Sequence, residues 1–347
     1  VQMRACHITA TPEWRTGQGN WGDKALVYAT QKVFEESLGG IEWLEMDARR
    51  IYDEFDIAII NKYDFLIIGG GGLILPDTFE NEVSGWQWGI SKELIEMIDV
   101  PIIVYGIGWN LFEGQKNNDL VLRPNLEALA DKASFISLRH SEDVNIFNEY
   151  VSNVVACLNY CPSIVMDDFN ENRSKLVGIN VACDRMDHRY NDHEAVFESL
   201  LEVIDDLDYR GYEPIIVNHM PIDAPFGEFI QSRRTIDIAD MSRMSVGEGI
   251  SFYKSLGFMY ATRGHAQMIP IGLGVKCASL VSHPKLSRFL HDIDMTDTGI
   301  DVNSLSFTAD CKYMLGYLKN RDFLPARKLI ERNIKHNMEM IKGLFDA

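Results

Sequence analysis

FMYATRGHAQMIPIGLGVK, Phe258 to Lys276, decides how the chain is organised. Phe258 to Ala261 is a short apolar run preceded by turn signals, so it reads as a buried strand. HAQMIPIGLG after it has the small and apolar mix of a tightly packed helix start. Arg263 and His265 therefore stand at a strand's carboxyl end. In open α/β sheets ligands bind at that edge, because the crevice meets the amino ends of the following helices and their unpaired N–H groups. A guanidinium and an imidazole two residues apart on such a turn can face one anion together, and Gly264 between them permits a tight backbone.

The same strand-to-helix pattern recurs on both sides. KLVGINVAC (from Lys175), PIIVNHM (from Pro214), IDIAD (from Ile236) and CASLVSH (from Cys277) read as strands. Helices are expected near Asp192 to Leu207, from about Ala224 and Val246, over HPKLSRFLHDI, and in segments from Ser306 to Phe345. Upstream, CPSIVMDDFNENRS, from Cys161 to Ser174, turns polar and irregular and reads as a linker. Before it lies a second such series: MRACHITA from Met3, YDFLIIGGGGLILP from Tyr63, VPIIVYGIGWN from Val100 and SFISLRHSEDVNIFNEY from Ser134. Strands alternating with helices in both halves predict an α/β chain of two doubly wound, Rossmann-like domains with a cleft between them, residues 1–165 and 175–347.

Several strand ends in the first half carry candidate ligand contacts. GQGNWGD opens a helix whose apolar spacing (Ala25, Leu26, Ala29, Val33, Phe34) runs from Asp23 to a stop at Gly39 and Gly40. Gly17, Gly19 and Gly22 make that loop pliable, and a strand, glycine-rich turn and helix start form a cradle for an anion or a sugar. The Lys-Ser/Thr of a P-loop and the spacing of a dinucleotide fingerprint are both missing. Gly69 to Gly72 leave backbone N–H groups unobstructed by side chains, which suits close approach of a ligand. Gly106 and Gly108 end the next strand, and Arg139 ends the one after, with Ser141 as the expected N-cap and Glu142 and Asp143 in the first helical turn.

Composition narrows the function classes. With 46% hydrophobic and 24% charged residues the chain is a folded globular protein. Its 33 Lys and Arg against 51 Asp and Glu give a formal charge of -18, which argues against nucleic acid as a partner because phosphate backbones require clustered cations. Any anionic substrate must be met by a local basic pocket. The six cysteines are spread out and lie beside apolar residues, as buried reduced thiols do. No apolar run approaches the length of a transmembrane helix, so the expected location is the cytoplasm, including the inner membrane face. No His, Cys or Asp clustering calls for a metal.

These pieces together resemble the polysaccharide pyruvyl transferase family. The resemblance is carried by GNWGD (Gly19 to Asp23), the strand with GGGGL (Gly69 to Leu73), GIG (Gly106 to Gly108), SLR followed by a serine-acid helix start (Ser137 to Asp143), and the Arg-x-His stretch with Lys276 downstream. The family usually has leucine where Gly264 stands. The resemblance implies a GT-B-like architecture and transfer of a pyruvyl group from phosphoenolpyruvate onto two hydroxyls of a sugar, free or lipid-linked, in assembly of a surface polysaccharide. Phosphoenolpyruvate is then a co-substrate, and no further cofactor is implied.

In that chemistry the carboxylate and phosphate of the donor are best gripped by planar forks, for which Arg139 and Arg263 are the candidates. His265 is the candidate proton donor to carbon C3. Gly19, Asn20, Asp23, Gly70, Gly71, Gly108, His219 and Lys276 are the further candidate contacts. The acceptor is expected on the N-terminal half and the donor on the C-terminal half. A nucleotide-sugar glycosyltransferase and a non-catalytic carbohydrate-binding protein are the alternatives.

Overall fold

A computed structural model describes residues 2–10, 19–76 and 81–346; Gly17 of the first glycine-rich loop lies outside them. Its contacts divide the chain into two compact units, one of Val1–Thr16, Leu26–Pro162 and Arg332–Ala347, the other of Gly17–Ala25 and Ser163–Glu331. One division falls near residue 163, within Cys161–Ser174. The glycine-rich segment before and into the first helix belongs with the second unit, and the end of the C-terminal helix belongs with the first.

The first unit is built on a parallel sheet of six strands in the order β2-β1-β3-β4-β5-β6. In chain order it comprises β1 (Met3–Thr9), α1 (Trp21–Leu38, from Leu26 on), β2 (Ile41–Asp47), α2 (Glu54–Ile60), β3 (Phe65–Ile74), α3 (Lys92–Glu96), β4 (Ile102–Trp109), α4 (Asp119–Lys132), β5 (Ala133–Leu138), α5 (Ser141–Tyr150) and β6 (Cys157–Leu158). β3 and β4 are nearly continuous apolar runs because helices cover both faces of a parallel sheet, and both strands are buried along almost their whole length. The N-cap of α5 falls on His140, one residue before the expected Ser141.

The four-glycine run lies inside a strand, since β3 continues through Gly69 to Gly72 and ends at Ile74. A Cβ on Gly69 would collide with the Tyr105 carbonyl of β4, and one on Gly72 with the Asn110 side chain. A Cβ on Gly70 would lie 2.9 Å from Leu26 of α1. Gly71 has a φ of +89°, a conformation that L side chains rarely adopt. Close packing of β3 against β4 and α1 therefore explains the run without any ligand.

The second unit comprises β7 (Leu176–Asn180), α6 (Met186–Arg189), α7 (His193–Tyr209), β8 (Glu213–Asn218), α8 (Ala224–Gln231), β9 (Asp237–Asp240), α9 (Val246–Ser255), β10 (Phe258–Ala261), α10 (Gly264–Leu273), β11 (Lys276–Val281), α11 (Pro284–Asp292), β12 (Gly299–Asp301), α12 (Phe307–Leu318) and the start of α13 (Leu324–Gly343). Its sheet is parallel, in the order β12-β11-β10-β7-β8-β9. The chain moves outward from β7 through β8 to β9, then crosses to β10 on the other side of β7. The topological switch point thus lies between β7 and β10, and ligand crevices form at such points.

α10 is buried from His265 to Leu273, as a helix apolar on all sides must be. Its end is fixed by Arg327 of α13, whose Nη1 donates to the carbonyls of Gly272 (2.7 Å), Ile164 (2.9 Å) and Asp167 (3.0 Å). Gly274 closes it in the left-handed conformation at φ 87°. With its far end held this firmly, the first turn of α10 is a rigid mount at the switch point.

Candidate functional site

Three strand ends are tied together at the switch point. Asn180, the last residue of β7, donates through Nδ2 to the Val217 carbonyl of β8 (2.9 Å) and accepts through Oδ1 from the Arg263 N–H just beyond β10 (3.1 Å). Thr262 Oγ1 accepts from the N–H of Ala182 (2.6 Å). The backbone that carries Arg263 and His265 is thereby positioned from both neighbouring strands.

Arg263 does not present the open fork expected of an anion clamp. Its Nε donates to Asp223 Oδ2 at 2.8 Å, and its Nη2 donates to Asp223 Oδ1 and lies 2.8 Å from Asp184 Oδ1. Asp223 is fully buried and also accepts the backbone N–H groups of Cys183, His219 and Met220. Burial alone would lower the Arg263 pKa, but Asp223 and then Asp184 outweigh it and hold the guanidinium above its ordinary value. Asp184 is shared with Arg189 and Arg185, both at 3.0 Å. Burial pushes the Asp184 carboxyl up, and Arg263 and Arg189 overcome that and hold it well below the usual carboxylate range. Neither aspartate stands out in the sequence: Asp184 is one acid in a polar loop, and Asp223 ends a short 3-10 turn in the largely apolar stretch MPIDAPF.

His265, in the first turn of α10, is 8% exposed, and its Nδ1 lies 3.8 Å from Asp23 Oδ1. Asp23 arrives on the first turn of α1, within the segment that belongs to this unit. Asn20 shapes that turn: its Oδ1 accepts from Gly22 N (3.0 Å) and its carbonyl accepts from Asp23 N (3.0 Å). Gly19 before it is buried. Trp21 is fully buried; its backbone N–H donates to the His219 carbonyl (3.0 Å) and its Nε1 to the Ser245 carbonyl (3.1 Å). The indole lies 5.7 Å from the rings of both His219 and Tyr253.

His219 follows β8 and has no exposure. Its Nε2 meets the Tyr253 hydroxyl, and burial, then the charges of Arg263 and His265, hold its pKa well below the ordinary histidine value. It is a neutral ring at working pH, inside the wall of the site.

Lys276 does not reach this edge. It begins β11 in register with Phe258, the first residue of β10, so it stands at the amino end of the sheet, opposite Arg263. There its Nζ donates to Glu171 (2.7 Å) and to the Arg321 carbonyl (2.6 Å). The lysine at the carboxyl edge is Lys285, in the first turn of α11, whose charge helps to depress the Asp184 pKa. A Cβ on Gly264 would lie 3.7 Å from Lys285 Cε, its nearest neighbour, so a larger residue fits at 264. HPK at residues 283–285 was legible as a helix start, but register alone decides which lysine shares an edge with His265.

In the first unit Arg139 lies beyond β5 with 5% exposure, and Nη2 donates to Asn110 Oδ1 at 2.7 Å. Its Nε is buried without a hydrogen-bond partner among the described residues. Gly108 makes the room, since a Cβ there would strike the guanidinium. Asp143 Oδ2, which accepts from Trp109 N at 3.1 Å, holds the end of β4 alongside. Among the described residues, the side-chain partner of this buried guanidinium is the neutral amide of Asn110. Among the described residues no group of three or more His, Cys, Asp or Glu is gathered as a metal site requires.

A sequence model of the polysaccharide pyruvyl transferase family matches residues 20–284, more than half of the chain. The chain belongs to that family. The match opens at Asn20 of the Asn20–Asp23 turn and closes one residue before Lys285, so both of its ends lie at the edge that carries His265. No curated protein matches the chain significantly in sequence. In fold it is similar to a glycosyltransferase of Rickettsia africae, at 11% identity and a TM-score of 0.56 over 99% of this chain and 97% of that one. It is also similar to the UDP-GlcNAc 2-epimerase of Methanocaldococcus jannaschii, at 9% identity and a TM-score of 0.54 over 95% of this chain and 99% of that one. With two parallel six-stranded sheets and alternating helices, the chain has the two-domain, GT-B-like α/β fold expected from its sequence. No described helix is long and apolar enough to cross a membrane.

Proposed function

We propose that the protein transfers pyruvate from phosphoenolpyruvate to two hydroxyls of one sugar, forming a ketal on a precursor of a surface polysaccharide. The observation that carries this reading is His265 in the first turn of α10, at the carboxyl edge of a switch point, with a carboxylate beside its Nδ1 and Lys285 nearby. A histidine so placed is a proton donor set among groups that attract an anion.

The proposed steps balance. His265 gives its proton to C3, turning the methylene into a methyl group and C2 into a cation-like centre. One sugar hydroxyl adds to C2 and loses its proton, which restores the histidine. The C2–O bond to phosphate breaks, phosphate leaves with the bond's electron pair, and the second hydroxyl closes the ketal as its proton passes to the phosphate. Lys285 and the amino end of α10 are assigned to the donor's anionic groups, and Arg139, on the first unit, to an anionic group of a substrate. Arg263 is assigned a supporting part, with its fork held by Asp223.

Incubation of the protein with phosphoenolpyruvate and a panel of galactose- and mannose-type acceptors tests the reading. Expected are release of inorganic phosphate and a sugar product heavier by one pyruvic acid less one water. Turnover of a nucleotide sugar, with none of phosphoenolpyruvate, would replace this reading with the glycosyltransferase one.

A further inference from the structure

We infer that Asp23 is the positioning carboxylate of His265, and that the Asn20–Asp23 turn is built to carry it there; this rests on the proposed proton transfer by His265. Each residue of the turn has a mechanical part in that placement. Asn20 caps the turn through Gly22 N and Asp23 N, and Trp21 anchors it to His219, Tyr253 and Ser245. Gly22 packs directly on the imidazole: a Cβ there would lie 2.5 to 2.7 Å from Nδ1, Cβ and Cγ of His265. Only glycine lets α1 approach closely enough to bring Asp23 Oδ1 within 3.8 Å of Nδ1.

The consequence is chemical. The charged and titratable groups gathered at this edge are Arg263 on the turn itself, Lys285 from α11, the neutral His219 beyond β8, and Asp184 and Asp223, both engaged with arginines. The cations favour a neutral imidazole at position 265. Asp23 opposes them and favours the charged ring, and by facing Nδ1 it leaves Nε2 as the nitrogen that carries the transferable proton. A carboxylate at this distance on one side, with the substrate's anions on the other, keeps the acid loaded when the donor arrives.

The test uses Asp23→Asn and, separately, Gly22→Ala, each in the full chain and each checked for a native thermal transition. Nuclear magnetic resonance titration of histidine-labelled protein, with His265 assigned by its loss in His265→Gln, reads the ring directly and needs no turnover. In Asp23→Asn the His265 titration midpoint is expected to fall by about 1 pH unit. The high-pH limb of kcat for phosphate release should move down with it, while KM for phosphoenolpyruvate stays within about twofold. Gly22→Ala should lower kcat by displacing the ring, again with little change in KM. An unchanged His265 midpoint in a folded Asp23→Asn protein overturns the inference whatever the enzyme transfers. A shifted midpoint in a protein that never turns over phosphoenolpyruvate keeps the dyad and overturns the proposed reaction instead.

Discussion

Replacing Arg263 by methionine separates a structural arginine from a donor clamp. In the intact site Asp223 is fully buried and takes two bonds from the guanidinium. Methionine leaves that carboxylate with three backbone N–H partners and no cation. Breaking a buried pair from one side costs about 3 to 5 kcal/mol. At roughly 2 to 4 °C per kcal/mol for a unit of this size, the melting temperature of the second unit should fall by about 6 to 20 °C. Arg263→Lys keeps a charge but cannot span both carboxylate oxygens, so it should fall between wild type and methionine. Adding Asp223→Asn to Arg263→Met should restore part of the loss, with a coupling energy of about 2 kcal/mol or more. The assay is thermal unfolding of these four proteins and of Asp223→Asn alone, which the coupling energy requires, paired with calorimetric titration of phosphoenolpyruvate well below each transition. If Arg263→Met melts like wild type while donor affinity drops more than about tenfold, the guanidinium serves the ligand and this account of the Asp184–Arg263–Asp223 cluster is wrong.

Three further outcomes are expected. Gly71→Ala should destabilise the first unit by about 1 to 2 kcal/mol, because alanine is forced to φ +89°, and denaturant midpoints will show it. Stability should decline as pH falls below about 6.5, since His7, whose pKa burial lowers to about 4, stays neutral in the fold and gains a proton when unfolded. From 6.5 down to about 4, at 1.36 kcal/mol per unit, that histidine alone removes about 3 kcal/mol, and His7→Gln should flatten the slope in denaturant titrations across that window. Arg139→Lys should raise KM for phosphoenolpyruvate about tenfold or more in steady-state kinetics with little change in melting, because its side chain bonds the neutral amide of Asn110.

The fold was legible because parallel strands buried on both faces announce themselves as apolar runs, and most ended where the next helix cap or glycine said they would. The glycine run misled because glycine serves close strand packing as readily as ligand approach, and only the neighbours Tyr105, Leu26 and Asn110 distinguish the two. His265 and Arg263 could be placed at a strand tip from local pattern. That Arg263 is already engaged could not, since Asp184 and Asp223 come from loops 79 and 40 residues away in sequence. The exchange of Lys276 for Lys285 is likewise a matter of register, which periodicity does not report. GNWGD was legible as a helix start, yet its approach to His265 depends on which unit the turn joins.

His265 is proposed to deliver a solvent-exchangeable proton to C3 of phosphoenolpyruvate as the ketal forms. Turnover in deuterium oxide, with mass and deuterium analysis of the product's methyl group, reads that proton. The account predicts one deuterium in each transferred pyruvyl methyl, formed by the wild type and, at a rate lower by roughly 10² to 10⁴, by a folded His265→Gln protein. A ketal whose methyl carries no solvent hydrogen, or a His265→Gln protein that forms it at the wild-type rate, would contradict it.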